Sequence, residues 1–266
     1  MHFFGIMIKL ETDRECRMDV CDIHAVPPCG MQGVSMIYVT ADIHGYYEAF
    51  MHLLREIDFS QRDFLYVIGD TIDKGPESFR VLEHIMDAEN MELILGNHEE
   101  FLLESLKSRV YGKRNFIDME LWYKHGGKET FEEYNRMSAE QQQRIFRFLS
   151  TRPLYQILGG TVLVHGGVIP KKTQYSSWEE LMEEQDRQTL LWAKEEFLMH
   201  PFDINLEGRV IFGHTPTSEI QRVRGEKQTP GVVWRNGKRM GIDGGYLFGG
   251  RLIAICLDND TIYYVK

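Results

Sequence analysis

The sequence predicts an α/β fold, and two observations carry that prediction. From Met36 onward, short apolar runs rich in β-branched residues alternate with segments whose apolar residues recur at helical spacing. Those runs also stop, again and again, at an aspartate, asparagine or histidine flanked by glycine. In sheets built from β-α-β units, the carboxyl ends of neighbouring strands line one crevice. The polar residues are therefore expected to meet.

Taken in order, Met36–Ala41 reads as a strand ending in Asp42-Ile43-His44-Gly45, and Tyr46–Ile57 has helical spacing. The strand Asp63–Ile68 ends in Gly69-Asp70-Thr71-Ile72-Asp73-Lys74-Gly75-Pro76, and Glu77–Ala88 again reads as a helix. Met91–Leu95 runs into Gly96-Asn97-His98-Glu99. Residues 100 to about 150 are richer in charge and helix formers and are expected to form a helical cap or insertion, with Ala139–Leu149 amphipathic. Within it, Trp122-Tyr123-Lys124-His125-Gly126-Gly127-Lys128-Glu129-Thr130 reads equally as a helix stop or as a substrate contact. Strands resume at Thr161–Val164, which enters His165-Gly166-Gly167, and at Arg209–Phe212, which enters Gly213-His214-Thr215-Pro216. The acidic stretch Trp178–Glu196 is expected to supply solvated helices, and Arg251–Leu257 with Thr261–Val265 a closing β-hairpin.

Residues 1–35 break this pattern. They hold Cys16, Cys21 and Cys29 and show no sustained periodicity. They are expected to be a non-native or disordered extension, with the domain spanning 36–266. The motivation is that Gln32-Gly33-Val34-Ser35 can be encoded with GGAG shortly before an ATG at Met36, resembling a ribosome-binding site. A genuine extension is the alternative, and the mass of the native protein distinguishes the two.

Bulk properties narrow the function. A length of 266 residues allows one large domain or one with an insertion. The net charge of -10, with no long basic run, argues against a dedicated nucleic-acid partner. No apolar stretch is long enough to span a membrane. Four cysteines without CxxC spacing point to a reducing, cytoplasmic setting.

The chemistry lies in the strand ends: Asp42, His44, Asp70, Asn97, His98, His165 and His214. One histidine after a strand is usually structural, but five strands ending this way are hard to obtain by chance. Imidazole, carboxylate and amide oxygen without thiolate suit manganese, iron or zinc. Six candidate ligands, with one carboxylate able to bridge, fit two ions rather than one. Two such ions acidify a shared water for in-line attack on phosphorus. His98, beside Asn97, is placed to protonate the leaving alkoxide, Asp73 to orient that imidazole, and Lys74 to bind a phosphate oxygen.

Asp42-Ile43-His44-Gly45, Gly69-Asp70 through Asp73-Lys74-Gly75, Gly96-Asn97-His98-Glu99, His165-Gly166-Gly167 and Gly213-His214-Thr215-Pro216 resemble, in order, the motifs of the calcineurin-like metallophosphoesterases. Within that family the chain is similar to the phosphoprotein phosphatase branch, especially bacterial and phage serine/threonine phosphatases. The segment around Gly126-Gly127 and Thr130, and Ile242-Asp243-Gly244-Gly245, are also similar to bacterial members. The resemblance implies a central β-sandwich of mixed sheets flanked by helices. It implies Asp42, His44 and Asp70 on one divalent metal, with Asp70 bridging, and Asn97, His165 and His214 on the other, with manganese the expected metal. His98 would be the general acid oriented by Asp73, with Lys74, Asn97 and Lys194 at the substrate. Lysine stands at 74 and 194 where relatives usually carry arginine, which keeps the charge but loses the bidentate fork. Lys194 reads equally as a surface helix residue.

The expected activity is a di-metal phosphomonoesterase acting on phosphorylated protein or a small phosphorylated substrate, foremost a serine/threonine protein phosphatase. Hydrolysis of dinucleoside polyphosphates such as diadenosine tetraphosphate is the alternative. A non-catalytic binder of phosphorylated partners is a third reading, supported only by the two lysines.

Overall fold

The computed structural model describes residues 35–111 and 119–266. The expectation for residues 1–35 lies outside the described residues, Ser35 excepted.

Two five-stranded sheets pack face to face. The strands are β1 (Ile37–Ala41), β2 (Phe64–Ile68), β3 (Met91–Ile94), β4 (Tyr155–Leu158), β5 (Thr161–Val164), β6 (Arg209–Phe212), β7 (Trp234–Asn236), β8 (Arg239–Gly241), β9 (Leu252–Cys256) and β10 (Ile262–Val265). The first sheet runs β10-β9-β1-β2-β3 and the second β4-β5-β6-β8-β7. β1, β2 and β3 are mutually parallel, as are β5, β6 and β8, while the remaining pairings are antiparallel. Both sheets are thus mixed, as the resemblance implies.

Period-two alternation explains why the inner strands are apolar throughout. On β2, Phe64, Tyr66 and Ile68 face the seam between the sheets, whereas Leu65 and Val67 face the outer helices. β9 divides likewise, with Ile253 and Ile255 in the seam and Leu252, Ala254 and Cys256 outside. The second sheet contributes Leu163, Ile211, Met240 and Ile242 to the same seam. Each such side chain, taken fully from water, stabilises the fold by about 1.5–3 kcal/mol relative to exposure.

The helices are α1 (Tyr47–Glu56), α2 (Ser78–Asp87), α3 (Asn97–Tyr111), α4 (Met119–Lys124), α5 (Gly127–Arg136), α6 (Ala139–Ser150), α7 (Trp178–Glu183), α8 (Arg187–Trp192), α9 (Glu195–Met199) and α10 (Thr217–Val223). α1 to α6 contribute to the cluster outside the first sheet, and α7 to α10 to that outside the second. α6 opens with a capping box, in which the Ser138 hydroxyl accepts from Gln141 N and the Gln141 side chain accepts from Ser138 N. Among the described residues no helix is long and apolar enough to cross a membrane.

Candidate metal centre and active site

Parallel pairing puts the carboxyl ends of β1, β2 and β3 side by side, and those of β5 and β6 side by side in the other sheet. The sandwich then brings the two sets together. Asp70 Oδ1, after β2, lies 3.3 Å from His165 Nε2, after β5. The backbone N–H of His214, after β6, donates to both carboxylate oxygens of Asp42, after β1, at 3.0 and 3.2 Å. Gly213 permits that approach, since a Cβ there would lie 2.2 Å from Asp42 Oδ2.

Asp70 is the common element. His44, Asp70 and His98 offer donor atoms within 4.8 Å of one another, and so do Asp70, His165 and His214. Asp70 Oδ2 is 3.6 Å from His44 Nε2 and 3.7 Å from His98 Nε2. Asn97 Oδ1 joins the second group, 2.8 Å from His165 Nε2 and 2.9 Å from His214 Nδ1. Asp42 stands beside these groups, held by the His214 backbone, and belongs to neither three-residue cluster.

The donor set fits divalent cations, and the tautomers show why. His44 Nδ1–H donates to Ile72 O at 3.0 Å and His165 Nδ1–H to Ile68 O at 3.3 Å. Carbonyls only accept, so each Nε2 is left to present a lone pair toward Asp70. Burial holds these rings neutral: His165 is brought down to about 4, and His44 and His214 lie well below the usual histidine range. The acids are displaced the other way. Burial pushes Asp70 up to about 7 and Asp243 to about 6, and burial with the charges of Asp243 and Asp70 drives Asp42 well above the carboxylate range. Lone pairs facing carboxylates in a dry site are stabilised by a cation between them.

His98 is oriented from behind. Its Nδ1–H donates to Asp73 Oδ2 at 2.6 Å, and its own backbone N–H, in the first turn of α3, donates to Asp70 Oδ1 at 3.2 Å. Lys74 Nζ lies 2.9 Å from His44 Nε2. Lys194 is exposed and precedes α9, and its charge is felt at His214 and His125. The His125 ring, after α4, lies 6.5 Å from that of His98.

Backbone strain gathers at the same place. Among the described residues, the non-glycine positions with positive φ are Asp42, His44, Asp70, Asp73, Lys74 and His214, together with Asp58 and Asp260 away from the site. Left-handed backbone in non-glycine residues is costly, and it persists where surrounding bonds over-determine it.

Two acids carry more than sequence reasoning assigned them. The buried Glu99 carboxylate accepts from the backbone N–H groups of Gly96, Asp70 and Thr71 and from the Thr71 hydroxyl, at 2.7–3.1 Å. It therefore fixes the loop after β2 against the start of α3. Asp243, after β8, is the other: its charge is felt at Asp42 and Asp70. Its signal was present in the sequence, because Met240-Gly241-Ile242 runs into Asp243-Gly244-Gly245, the same apolar-to-acid-to-glycine ending as the other strands.

Comparison with known proteins agrees with this architecture. The model of the calcineurin-like phosphoesterase family matches residues 35–243. The chain is 28% identical over 217 residues to serine/threonine-protein phosphatase 1 of Salmonella typhimurium, a match covering 81% of this chain and 89% of that protein. It is 32% identical over 151 residues to the symmetrical bis(5'-nucleosyl)-tetraphosphatase of Delftia acidovorans, covering 54% of this chain and 47% of that protein. The match thus spans about half the length of that tetraphosphatase. A serine/threonine phosphatase structure from Saccharomyces cerevisiae superposes with a TM-score of 0.54 at 18% identity, over 88% of this chain and 81% of that one.

Proposed function

This chain belongs to the calcineurin-like phosphoesterase family, and on that premise we propose that it is a two-metal phosphomonoesterase acting on phosphoserine or phosphothreonine in proteins. The observation that carries the substrate class is the extent of the match to the Salmonella phosphatase, which runs along 89% of that protein. The tetraphosphatase relative supports a second reading, hydrolysis of dinucleoside polyphosphates, over a shorter stretch at slightly higher identity.

Asp42, His44 and Asp70 would hold one cation and Asn97, His165 and His214 the other, with Asp70 shared. Manganese suits this oxygen and imidazole set, and iron and zinc are the alternatives. When bound, such a pair acidifies water and offsets negative charge on phosphoryl oxygens.

The side chains of this chain supply the rest. His98 protonates the departing alkoxide from Nε2, because its Nδ1–H is committed to Asp73. Burial and the charge of Lys74 hold His98 well below the usual histidine range. A phosphate dianion beside it works in the opposite direction and favours the imidazolium needed for donation. Lys74 and Lys194 bind phosphate oxygens as point charges. Asn97, with Oδ1 facing the two histidines, keeps its amide N–H groups for a phosphoryl oxygen.

A side-by-side assay with manganese, offering a phosphoserine peptide and diadenosine tetraphosphate, tests the substrate class. Faster turnover of the peptide is expected, and selective cleavage of the nucleotide overturns this reading in favour of the second. Inactivity even on p-nitrophenyl phosphate leaves a non-catalytic binder.

A further inference from the structure

Trp122 lies in α4, outside both sheets, and is fully buried. Its indole N–H donates to Asp73 Oδ2 at 2.6 Å, and the same oxygen accepts His98 Nδ1–H at 2.6 Å. Two N–H donors, one from α3 and one from α4, thus converge on one carboxylate oxygen. We propose that Trp122 is a positioning residue for His98, acting through Asp73. The proposal rests on the reading of His98 as proton donor.

A purely packing tryptophan explains less. The indole stacks on Phe101 at 6.1 Å with 18° between planes and meets Phe131 edge-on at 5.6 Å, contacts that a phenyl ring could also make. A buried indole N–H needs some acceptor, yet the acceptor here is the carboxylate that holds His98. The Thr130 hydroxyl also acts on the Asp73 carboxylate, and the indole N–H adds a donor on the very oxygen that His98 uses. That donor restricts rotation of the carboxylate about its terminal torsion and so steadies the plane in which the His98 ring is held.

The neighbouring turn is clasped by the same segment. Asp73 and Lys74 both have left-handed backbone, φ 70 and 68. Lys74 N–H donates to Gly126 O at 3.4 Å. Ser78 Oγ, which accepts from Asp73 N–H at 2.9 Å, lies 3.3 Å from Thr130 Oγ1. Residues 122–130 therefore act on the Asp73 turn at three points. Gly127 makes room for the indole, since a Cβ there would lie 1.9 Å from Trp122 Nε1.

The test compares Trp122→Phe, His98→Asn and the double variant on phenyl phosphate, a poor leaving group, and p-nitrophenyl phosphate, a good one, with manganese. Trp122→Phe should lose about tenfold in kcat on phenyl phosphate, a fraction of the ~10²–10⁴ that general-acid catalysis supplies. On p-nitrophenyl phosphate it should stay within about twofold, since little protonation is needed there. Added to His98→Asn, it should cost almost nothing further. Gly127→Ala, which pushes the indole off Asp73, should reproduce this signature should Trp122→Phe fold poorly. Without metal, the Trp122 indole N–H resonance, identified by its loss in Trp122→Phe, should lie downfield of those of the other three tryptophans and move upfield in Asp73→Asn. Equal losses on both substrates, full additivity with His98→Asn, or an indole resonance indifferent to Asp73→Asn overturns the proposal alone. A His98→Asn variant indifferent to leaving group overturns the reading of His98 and the proposal with it.

Discussion

The ammonium of Lys74 lies 2.9 Å from Nε2 of His44 and donates to its lone pair. The same nitrogen is the one a divalent cation would take, so Lys74 and a metal compete electrostatically for His44. Removing the ammonium with Lys74→Ala should tighten manganese binding several-fold in calorimetry while raising KM about tenfold for a phosphopeptide. Lys74→Arg restores a planar fork able to grip two phosphate oxygens, and should lower KM several-fold with kcat little changed. Unchanged KM in both variants removes Lys74 from the substrate site.

Asp70 is the one side chain shared by both donor groups. Asp70→Asn removes the charge while preserving size, and should drop phosphatase activity to background. Elemental analysis should show bound manganese falling from two ions per chain to one at most. Full occupancy with full turnover contradicts a shared carboxylate.

Glu99 accepts at both oxygens from N–H and O–H groups. Glu99→Gln sets an amide donor against some of those donors. Each hydrogen bond to a charged group contributes about 1.5–3 kcal/mol, so the loss of one or two should lower the melting temperature by roughly 5–15 °C at this chain length. Scanning calorimetry measures it. An unaltered transition places the rigidity of the Asp70 loop elsewhere.

Metal-free protein should respond to pH in a defined sense. Burial raises Asp70 to about 7 from an ordinary 3.8, so the folded chain binds that proton more tightly than the unfolded one. The stability this gives is present at low pH and lost as pH rises through about 7. His165 runs opposite: its folded value of about 4 lies below the ordinary 6.5, so stability is lost as pH falls below about 6.5. Between about pH 4 and 6.5 these two slopes oppose each other, and above pH 6.5 only the Asp70 loss remains, so with metal chelated the melting temperature should fall by a few degrees between pH 6.5 and 8. A rise between pH 6.5 and 8 contradicts the sign assigned to Asp70.

Much of this architecture was legible because strands announce themselves twice, by apolar runs and by what ends them. Phe64–Ile68, followed by Gly69-Asp70, states both a doubly buried strand and a residue at a sheet's carboxyl edge. Long-range placement is legible through the family resemblance rather than through the local pattern. That His165 meets Asp70, 95 positions earlier in the chain, depends on how two sheets face each other, and no local pattern encodes it. β7 and β8 are three residues each, too short for periodicity to register, and they are joined by the two-residue turn Gly237-Lys238, with Gly237 at φ 57. In the sequence Glu99 is only the last residue of Gly96-Asn97-His98-Glu99, with no role assigned. Only the folded loops show that four groups converge on it.

The seam between the sheets also has a metrical role. Asp70 and Asn97 are carried by one sheet, and His165 and His214 by the other, so how closely they approach depends on how far apart the layer formed by Ile68, Ile94, Leu163 and Ile211 holds the two sheets. A methyl group gained or lost there translates one half of the donor set against the other by fractions of an ångström. Ile→Val exchanges in that layer, distant from any substrate, would thus retune which ionic radius the centre accommodates.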